Sequence, residues 1–120
     1  MPMKPIRLGV LMDDISSIKP HKDSTFAMML EAQARHWEIY TFDSSDMYYS
    51  DGKVIADSRK TLVNDSESDW HSREDAQPLS LGTLDAVFMR KDPPFDMDYI
   101  YATYLLEQLE SDGVLVVNKP

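Results

Sequence analysis

The chain contains no cysteine, only four glycines and few basic residues, and each shortage excludes a kind of chemistry. Without cysteine there is no disulfide, thiolate metal ligand or cysteine nucleophile, so the fold must rest on packing alone. Twelve Lys and Arg residues against 21 Asp and Glu residues give a net charge of −9. Such a charge repels phosphate backbones and anionic lipid, so we expect neither a nucleic-acid nor a membrane partner.

The scarcity of glycine also argues against a nucleotide site. Phosphate-binding loops need several clustered glycines so that backbone amides can approach the phosphate groups. The glycines here are single and widely spaced, at Gly9, Gly52, Gly82 and Gly113. We therefore expect any nucleotide to bind outside this domain.

No catalytic or metal constellation stands out in the sequence. The three histidines are scattered, and no G-x-S-x-G pattern exposes a nucleophilic serine. Asp13 and Asp14 could be read as a metal pair, but adjacent carboxylates without a third ligand are more typical of a solvated strand end. The sequence predicts no catalytic residue and no metal ligand.

What is present is one α/β domain of 120 residues with an average, cytoplasmic type of composition. Apolar runs at 6–12 and 84–89 are typical of strands buried on both faces of a parallel sheet. Helical spacing over 24–36, between strands 6–12 and 37–42, predicts a right-handed βαβ unit. A second helix is expected from Asp96 to about Ser111, followed by a strand at 114–117.

The remaining segments and the helix faces complete this prediction. Asp51-Gly52 predicts a type I′ turn in a β-hairpin over 47–63, added beside the main sheet. Residues 64–80 are polar and acidic, and we expect a surface loop or a short helix. The side chains expected to face the core are Phe26, Ala27, Met29, Leu30 and Ala34 in the first helix and Ile100, Tyr104, Leu105 and Leu109 in the second.

The segment 89–96, MRKDPPFD, is the most informative stretch because its basic pair ends a predicted strand. In an open α/β sheet, strand ends border the crevice where ligands bind. Alternation sends Arg90 and Lys91 to opposite faces, and we favour Arg90 because its planar fork can bind a carboxylate bidentately. A surface cation pair is an equally good interpretation, and the rigid turn at Asp92-Pro93-Pro94 favours the ligand site only slightly.

This segment, followed by DYIYATYLLE and VLVVNKP, closely resembles the N-terminal domain of the bacterial glutathione synthetases, as does GVLMDDISSIKPHKDSTFAMMLEAQ near the start. The resemblance covers nearly the whole chain and is weakest over 43–80. It implies a Rossmann-like (pre-ATP-grasp) parallel sheet with flanking helices. It also implies a cytoplasmic ATP-grasp ligase that joins γ-glutamylcysteine to glycine through an acyl phosphate, with release of ADP and phosphate.

The resemblance further implies which residues contact the substrate. Arg90 matches the motif arginine expected on a substrate carboxylate, Lys91 and Asp92 frame it, and Asp13 and Ser24 face the same cleft. ATP and Mg²⁺ would be held mainly by two later domains, expected after residue 120 and absent from this chain. The fragment alone would be inactive, and the full-length enzyme is expected to be a homo-oligomer.

Two other interpretations stay open on the sequence. One is a stand-alone α/β module that binds a small anion at the basic strand end. The other is a mainly structural domain in which the surface formed by 43–80 is an oligomer contact. The sequence that follows Pro120 in the gene would discriminate the ligase from both of these interpretations, because only the ligase needs about two further domains.

Overall fold

The computed structural model describes residues 6–12, 24–63, 71–90 and 97–118. Within these ranges the chain forms two α-helices and eight β-strands, with single 3-10 turns at Ser44–Asp46 and Leu81–Thr83. In chain order the elements are β1 (Arg7–Leu11), α1 (Ser24–Ala34), β2 (Glu38–Phe42), β3 (Met47–Ser50), β4 (Lys53–Val63), β5 (His71–Arg73), β6 (Gln77–Ser80), β7 (Ala86–Met89), α2 (Met97–Ser111) and β8 (Leu115–Asn118).

Four parallel strands in the order β2-β1-β7-β8 form the centre of the sheet. β1 is in the middle, paired with β2 on one side and β7 on the other, and its five residues RLGVL are buried except for the half-buried Arg7. A nearly continuous apolar strand is what a position covered on both faces requires. The predicted α/β fold with a parallel sheet and flanking helices is confirmed.

The two helices cover opposite faces of this sheet. Phe26 and Met29 of α1 pack with Leu8, Val10 and Ile39 in one buried cluster. The other cluster joins α2 to the strand residues that point to the opposite face of the sheet. Its members include Leu11, Val87, Met89, Leu105 and Leu109. Successive strand residues point to opposite faces, so each central strand supplies side chains to both cores.

The hairpin predicted at Asp51-Gly52 is confirmed, and its second strand extends into the main sheet. Both turn residues have positive φ, 52° and 77°, as a type I′ turn requires. β4 pairs with β3 near the turn and then with β2, antiparallel, over 59–61. Its buried face changes along its length: Val54 and Ala56 pack on the α2 side, whereas Val63 packs on the α1 side.

The prediction of a surface loop or short helix over 64–80 is wrong for the described part of that stretch. β5 and β6 pair along β4, with Leu62 opposite Ser72 and Ala56 opposite Leu79. These strands are short and mostly exposed, so their sequences show no apolar alternation. They could not be predicted from the sequence pattern for that reason. Residues 64–70 lie outside the described ranges.

The predicted inward faces of the helices are partly wrong. In α2, Leu105 and Leu109 are buried as expected, but Ile100 is 40% exposed and Tyr104 is 64% exposed. Tyr101, on the same helix, is also exposed. In α1, Ala27 and Ala34 are exposed, and the alanine that enters the core is Ala32.

The ends of the helices agree with the sequence where they are described. Gly113, just past α2, adopts φ 97° and closes the helix as expected. Asp96, the expected start of the second helix, lies outside the described residues, and α2 is described from Met97. Neither described helix is long and apolar enough to cross a membrane.

Candidate functional site

The carboxyl ends of the four parallel strands lie level with one another and form one edge of the domain. The strand register pairs Phe42 with Leu11, Leu11 with Met89 and Met89 with Asn118. Hydrogen bonds hold this edge together one residue further on. Met12 N donates to Phe42 O at 3.0 Å, and Arg90 N donates to Leu11 O at 2.7 Å.

Arg90 lies at the point of this edge where the direction of chain winding changes. The connection from β1 runs through α1 to β2, and the connection from β7 runs through α2 to β8 on the opposite face. The crevice between β1 and β7 is therefore the topological switch point, which is where open α/β sheets bind their ligands. The backbone hydrogen bond from Arg90 N to Leu11 O joins the ends of β7 and β1 at this switch point.

The side chain of Arg90 is half-buried and points to the α1 face. Its Nε donates a hydrogen bond to Oγ1 of Thr25, in the first turn of α1, at 3.1 Å. Phe88, two residues earlier, packs in the α1 core, and Met89 packs in the α2 core. Alternation along the strand thus places Arg90 against the start of α1, and the bond to Thr25 orients the guanidinium plane.

Of the other predicted site residues, Ser24 is the first residue of α1, directly before Thr25, and its side chain is outside the described part of the structure. Asp13, Lys91 and Asp92 lie outside the described residues. Thr25 was not among the site residues predicted from the sequence. Its position next to Ser24 at a helix start was the available signal.

A pocket of about 380 Å³ opens beside this edge, between the carboxyl end of β2 and the strands β4 and β5. Its charged lining residues are Asp43, Asp46, Asp57, Arg59 and Arg73. A smaller pocket of about 270 Å³ lies over Arg7, Tyr40 and Lys60. There both cations form ion pairs with Glu38, Arg7 at 3.7 Å and Lys60 at 3.8 Å.

No group of three or more His, Asp or Glu side chains within the described ranges is arranged to hold a metal ion. The glycines of the described strands and turns have structural roles: Gly9 is buried in β1, and Gly52 and Gly113 occupy positive-φ turns.

The doubly wound sheet, with its two helices on opposite faces, places the chain in the class of Rossmann-like α/β domains. The sequence comparisons specify the family. The family model described as the N-terminal domain of prokaryotic glutathione synthetase matches residues 6–120. The chain belongs to this family.

Curated relatives support the same assignment. The glutathione synthetase of Vibrio vulnificus strain YJ016 is 51% identical over 115 residues, which is 96% of this chain and 36% of the relative. The glutathione synthetases of Vibrio cholerae and Pseudomonas putida are 50% and 49% identical over the same shares. The chain thus spans 36% of the length of the curated relatives it matches.

Proposed function

We propose that this chain is the peptide-substrate side of a glutathione synthetase, with Arg90 as the residue that contacts a substrate carboxylate. The observation that carries the proposal is the position of Arg90 at the switch point between β1 and β7 in a chain of this family. In the proposed reaction the cysteinyl carboxylate of γ-glutamylcysteine attacks the γ-phosphorus of ATP, and ADP leaves. The amine of glycine then attacks the acyl carbon, phosphate leaves, and the new amide bond completes glutathione.

The physical argument for Arg90 is preorganisation. A long arginine side chain loses rotamer freedom when it binds, and a contact that already fixes it lowers that entropic cost. The Nε bond to Thr25 fixes the guanidinium plane at the start of α1. The parallel N–H donors of the guanidinium group match the two oxygens of a carboxylate. Lysine has no such planar pair of donors, so arginine is better suited to this contact. We place Lys91, Asp92, Asp13 and Ser24 around the same substrate as framing residues.

The remaining parts of the proposal concern the whole enzyme. We place ATP and Mg²⁺ in ATP-grasp domains following residue 120, because the described residues provide no phosphate loop and no metal ligands. The relatives are glutathione synthetases, and this chain matches 36% of their length. We further propose that the full-length enzyme is cytoplasmic and a homo-oligomer, and that this domain alone does not turn over.

The decisive experiment is Arg90→Ala in the full-length enzyme, assayed by glutathione formation at varied γ-glutamylcysteine and varied ATP. Loss of a charge-assisted contact costs about 1.5 to 3 kcal/mol, so the KM for the peptide should rise tenfold or more. The KM for ATP should stay nearly unchanged, because Arg90 is assigned no nucleotide contact. Arg90→Lys should recover only part of the loss, since lysine lacks the planar fork.

Arg35→Ala is the matched control. Arg35 lies past the end of α1, where it pairs with Glu31 at 3.0 Å on the exposed surface. The Arg35→Ala substitution removes one positive charge far from the switch point. The KM values for γ-glutamylcysteine and for ATP should therefore match those of the parent enzyme. An unchanged peptide KM in Arg90→Ala would assign Arg90 to a scaffolding role and refute the proposed contact.

A further inference from the structure

The pocket beside β2 brings positive and negative side chains together on one face of the sheet. Arg59 of β4 stands opposite Thr41 of β2, and Arg73 of β5 stands opposite Thr61 of β4. Residues paired across antiparallel strands share a face, and so do residues two apart in one strand. Arg59, Arg73 and Asp57 therefore present their side chains on the α1 side, and all three line the 380 Å³ pocket.

The two arginines differ from other arginines of the described structure. Arg7 and Arg35 each have a carboxylate within 4 Å, at Glu38 and Glu31 respectively. Within the described ranges, no carboxylate lies within that distance of Arg59 or Arg73. These two guanidinium groups can therefore bind a ligand carboxylate, although the chain as a whole carries a net charge of −9.

Arg59 is also held toward the pocket. Its Nη1 donates to the backbone oxygen of Glu74 at 3.3 Å, in the link between β5 and β6. This contact directs the guanidinium over the short segment that contains Ala76, another residue of the pocket wall. Strand residues supply a more rigid frame than loop residues, which favours recognition of a small ligand.

The carboxylates of the pocket are not equivalent. Asp43 caps the 3-10 turn that follows β2, accepting from Ser44 N at 2.6 Å, and Asp46 accepts from Asp43 N at 2.9 Å. These two are engaged in the turn. Asp57 makes no such contact within the described structure and lies two residues from Arg59 on the same face, about 7 Å away along the strand.

We infer that this pocket is a second binding site, separate from Arg90, for the zwitterionic head group of an α-amino acid. Arg59 and Arg73 bind the carboxylate, and Asp57 binds the ammonium group. A pure anion fits less well, because three carboxylates line the same pocket and would repel it. The volume lies within the range of small-molecule pockets. This inference does not rest on the proposed ligase, because it concerns direct binding to the chain.

The test uses the 120-residue chain and three probes, namely L-glutamine, N-acetyl-L-glutamine and inorganic phosphate, titrated while backbone amide NMR shifts are followed. L-Glutamine should shift the amides of β4 and β5 around the pocket in a saturable way. N-acetyl-L-glutamine, which lacks the ammonium group, should bind at least tenfold more weakly. Phosphate should also bind more weakly than L-glutamine.

Variants assign the roles of the side chains. Arg59→Gln and Arg73→Gln should each weaken L-glutamine binding at least fivefold, and Asp57→Asn should weaken L-glutamine but not N-acetyl-L-glutamine. Lys53→Gln, an exposed change at the other end of β4, should leave the affinity unchanged. Thermal unfolding of each variant verifies that it is folded.

Three results would overturn the inference. The first is the absence of saturable shifts around the pocket with L-glutamine. The second is equal binding of the acetylated probe, which would remove the ammonium contact. The third is phosphate binding tighter than that of L-glutamine, which would make the pocket an anion site. Arg90→Ala should not alter L-glutamine binding here, so failure of this site and failure of the Arg90 proposal are distinguishable.

Discussion

Gly9 lies in the middle of β1, where side chains from three neighbouring elements converge. A Cβ built there would lie 2.7 Å from Leu84 Cδ1, 3.1 Å from Phe42 Cε1 and 3.3 Å from Val87 Cγ2. These atoms belong to the buried cluster on the α2 side, which has little room to relax. Absence of a side chain at this position is thus a packing requirement of the core and not a matter of backbone freedom.

We predict that Gly9→Ala destabilises the domain by about 1 to 3 kcal/mol, the usual cost of adding a methyl group to a filled core. Urea unfolding followed by circular dichroism would measure it. Gly82→Ala is the control, because no atom lies within 4 Å of its built Cβ and its φ is not positive. That change should alter the free energy of unfolding by less than about 1 kcal/mol. Equal effects of the two substitutions would contradict the packing argument.

At the same scale, the sequence identified Arg90 but not its partner. Strand alternation and the position of the basic pair were enough to place Arg90 on one face of a strand end. The hydrogen bond to Thr25 joins residues 65 positions apart, and no local pattern encodes it. Arg59 and Arg73 were missed for a similar reason, because they become neighbours only when β5 pairs with β4.

Among the elements, α1 and β4 are joined by the hydrogen bonds of one side chain, in addition to the apolar packing of Val63. The amide of Gln33 pairs with the backbone of Val63 as a neighbouring strand would. Nε2 donates to Val63 O at 2.6 Å, and Oε1 accepts from Val63 N at 2.8 Å. Gln33 thus satisfies both backbone groups at the last residue of β4 and ties that strand to the helix above it.

We predict that Gln33→Ala lowers the free energy of unfolding by about 1 to 3 kcal/mol, because two part-buried backbone groups lose their partner. Hydrogen exchange at the Val63 amide should accelerate at the same time. Gln108→Ala is the matched control, since its amide only reaches Asp112 on the exposed surface of α2, at 3.3 Å. If both substitutions cost the same, the side-chain pairing does not stabilise the junction.

The helix faces show how far a pattern can lead at this scale. Apolar residues occur around most of α2, so spacing alone supports more than one inward face. The face containing Leu105, Leu106 and Leu109 is selected because it meets the residues of β7 and β1 that point to the α2 side. Ile100 and Tyr104 belong to another face and remain exposed for that reason.

For the whole molecule, the net charge of −9 is the dominant electrostatic property. An excess of like charge destabilises the compact state through self-repulsion. The screening length falls from about 30 Å at 0.01 M salt to about 8 Å at 0.15 M. Added salt weakens both the overall repulsion and the exposed or half-exposed ion pairs. The gain in stability from weaker repulsion should exceed the loss from weaker ion pairs, because such pairs contribute little.

We predict that the melting temperature of the domain rises as sodium chloride increases from 0.01 M to 0.15 M. Lys53→Glu should steepen this dependence, because it replaces a positive by a negative charge at an exposed site of β4 and so makes the net charge more negative by two units. Lys53→Gln should lie between the two. A melting temperature that falls with salt would show instead that the pairs around Glu38 outweigh the overall repulsion.

The sequence by itself determined the βαβ units, the hairpin turn at Asp51-Gly52, the end of α2 before Gly113 and the family. These features depend on residues close together in the chain: apolar runs, helical spacing, turn residues that tolerate positive φ, and a distinctive motif. Only the tertiary structure decided which face of α2 is buried and that β5 and β6 pair along β4. It alone placed Arg90 against Thr25 and Arg59 beside Arg73. Each of these features depends on contacts between segments that are distant in the sequence. Such contacts form, and stabilise the structure, only when the sheet brings the segments together.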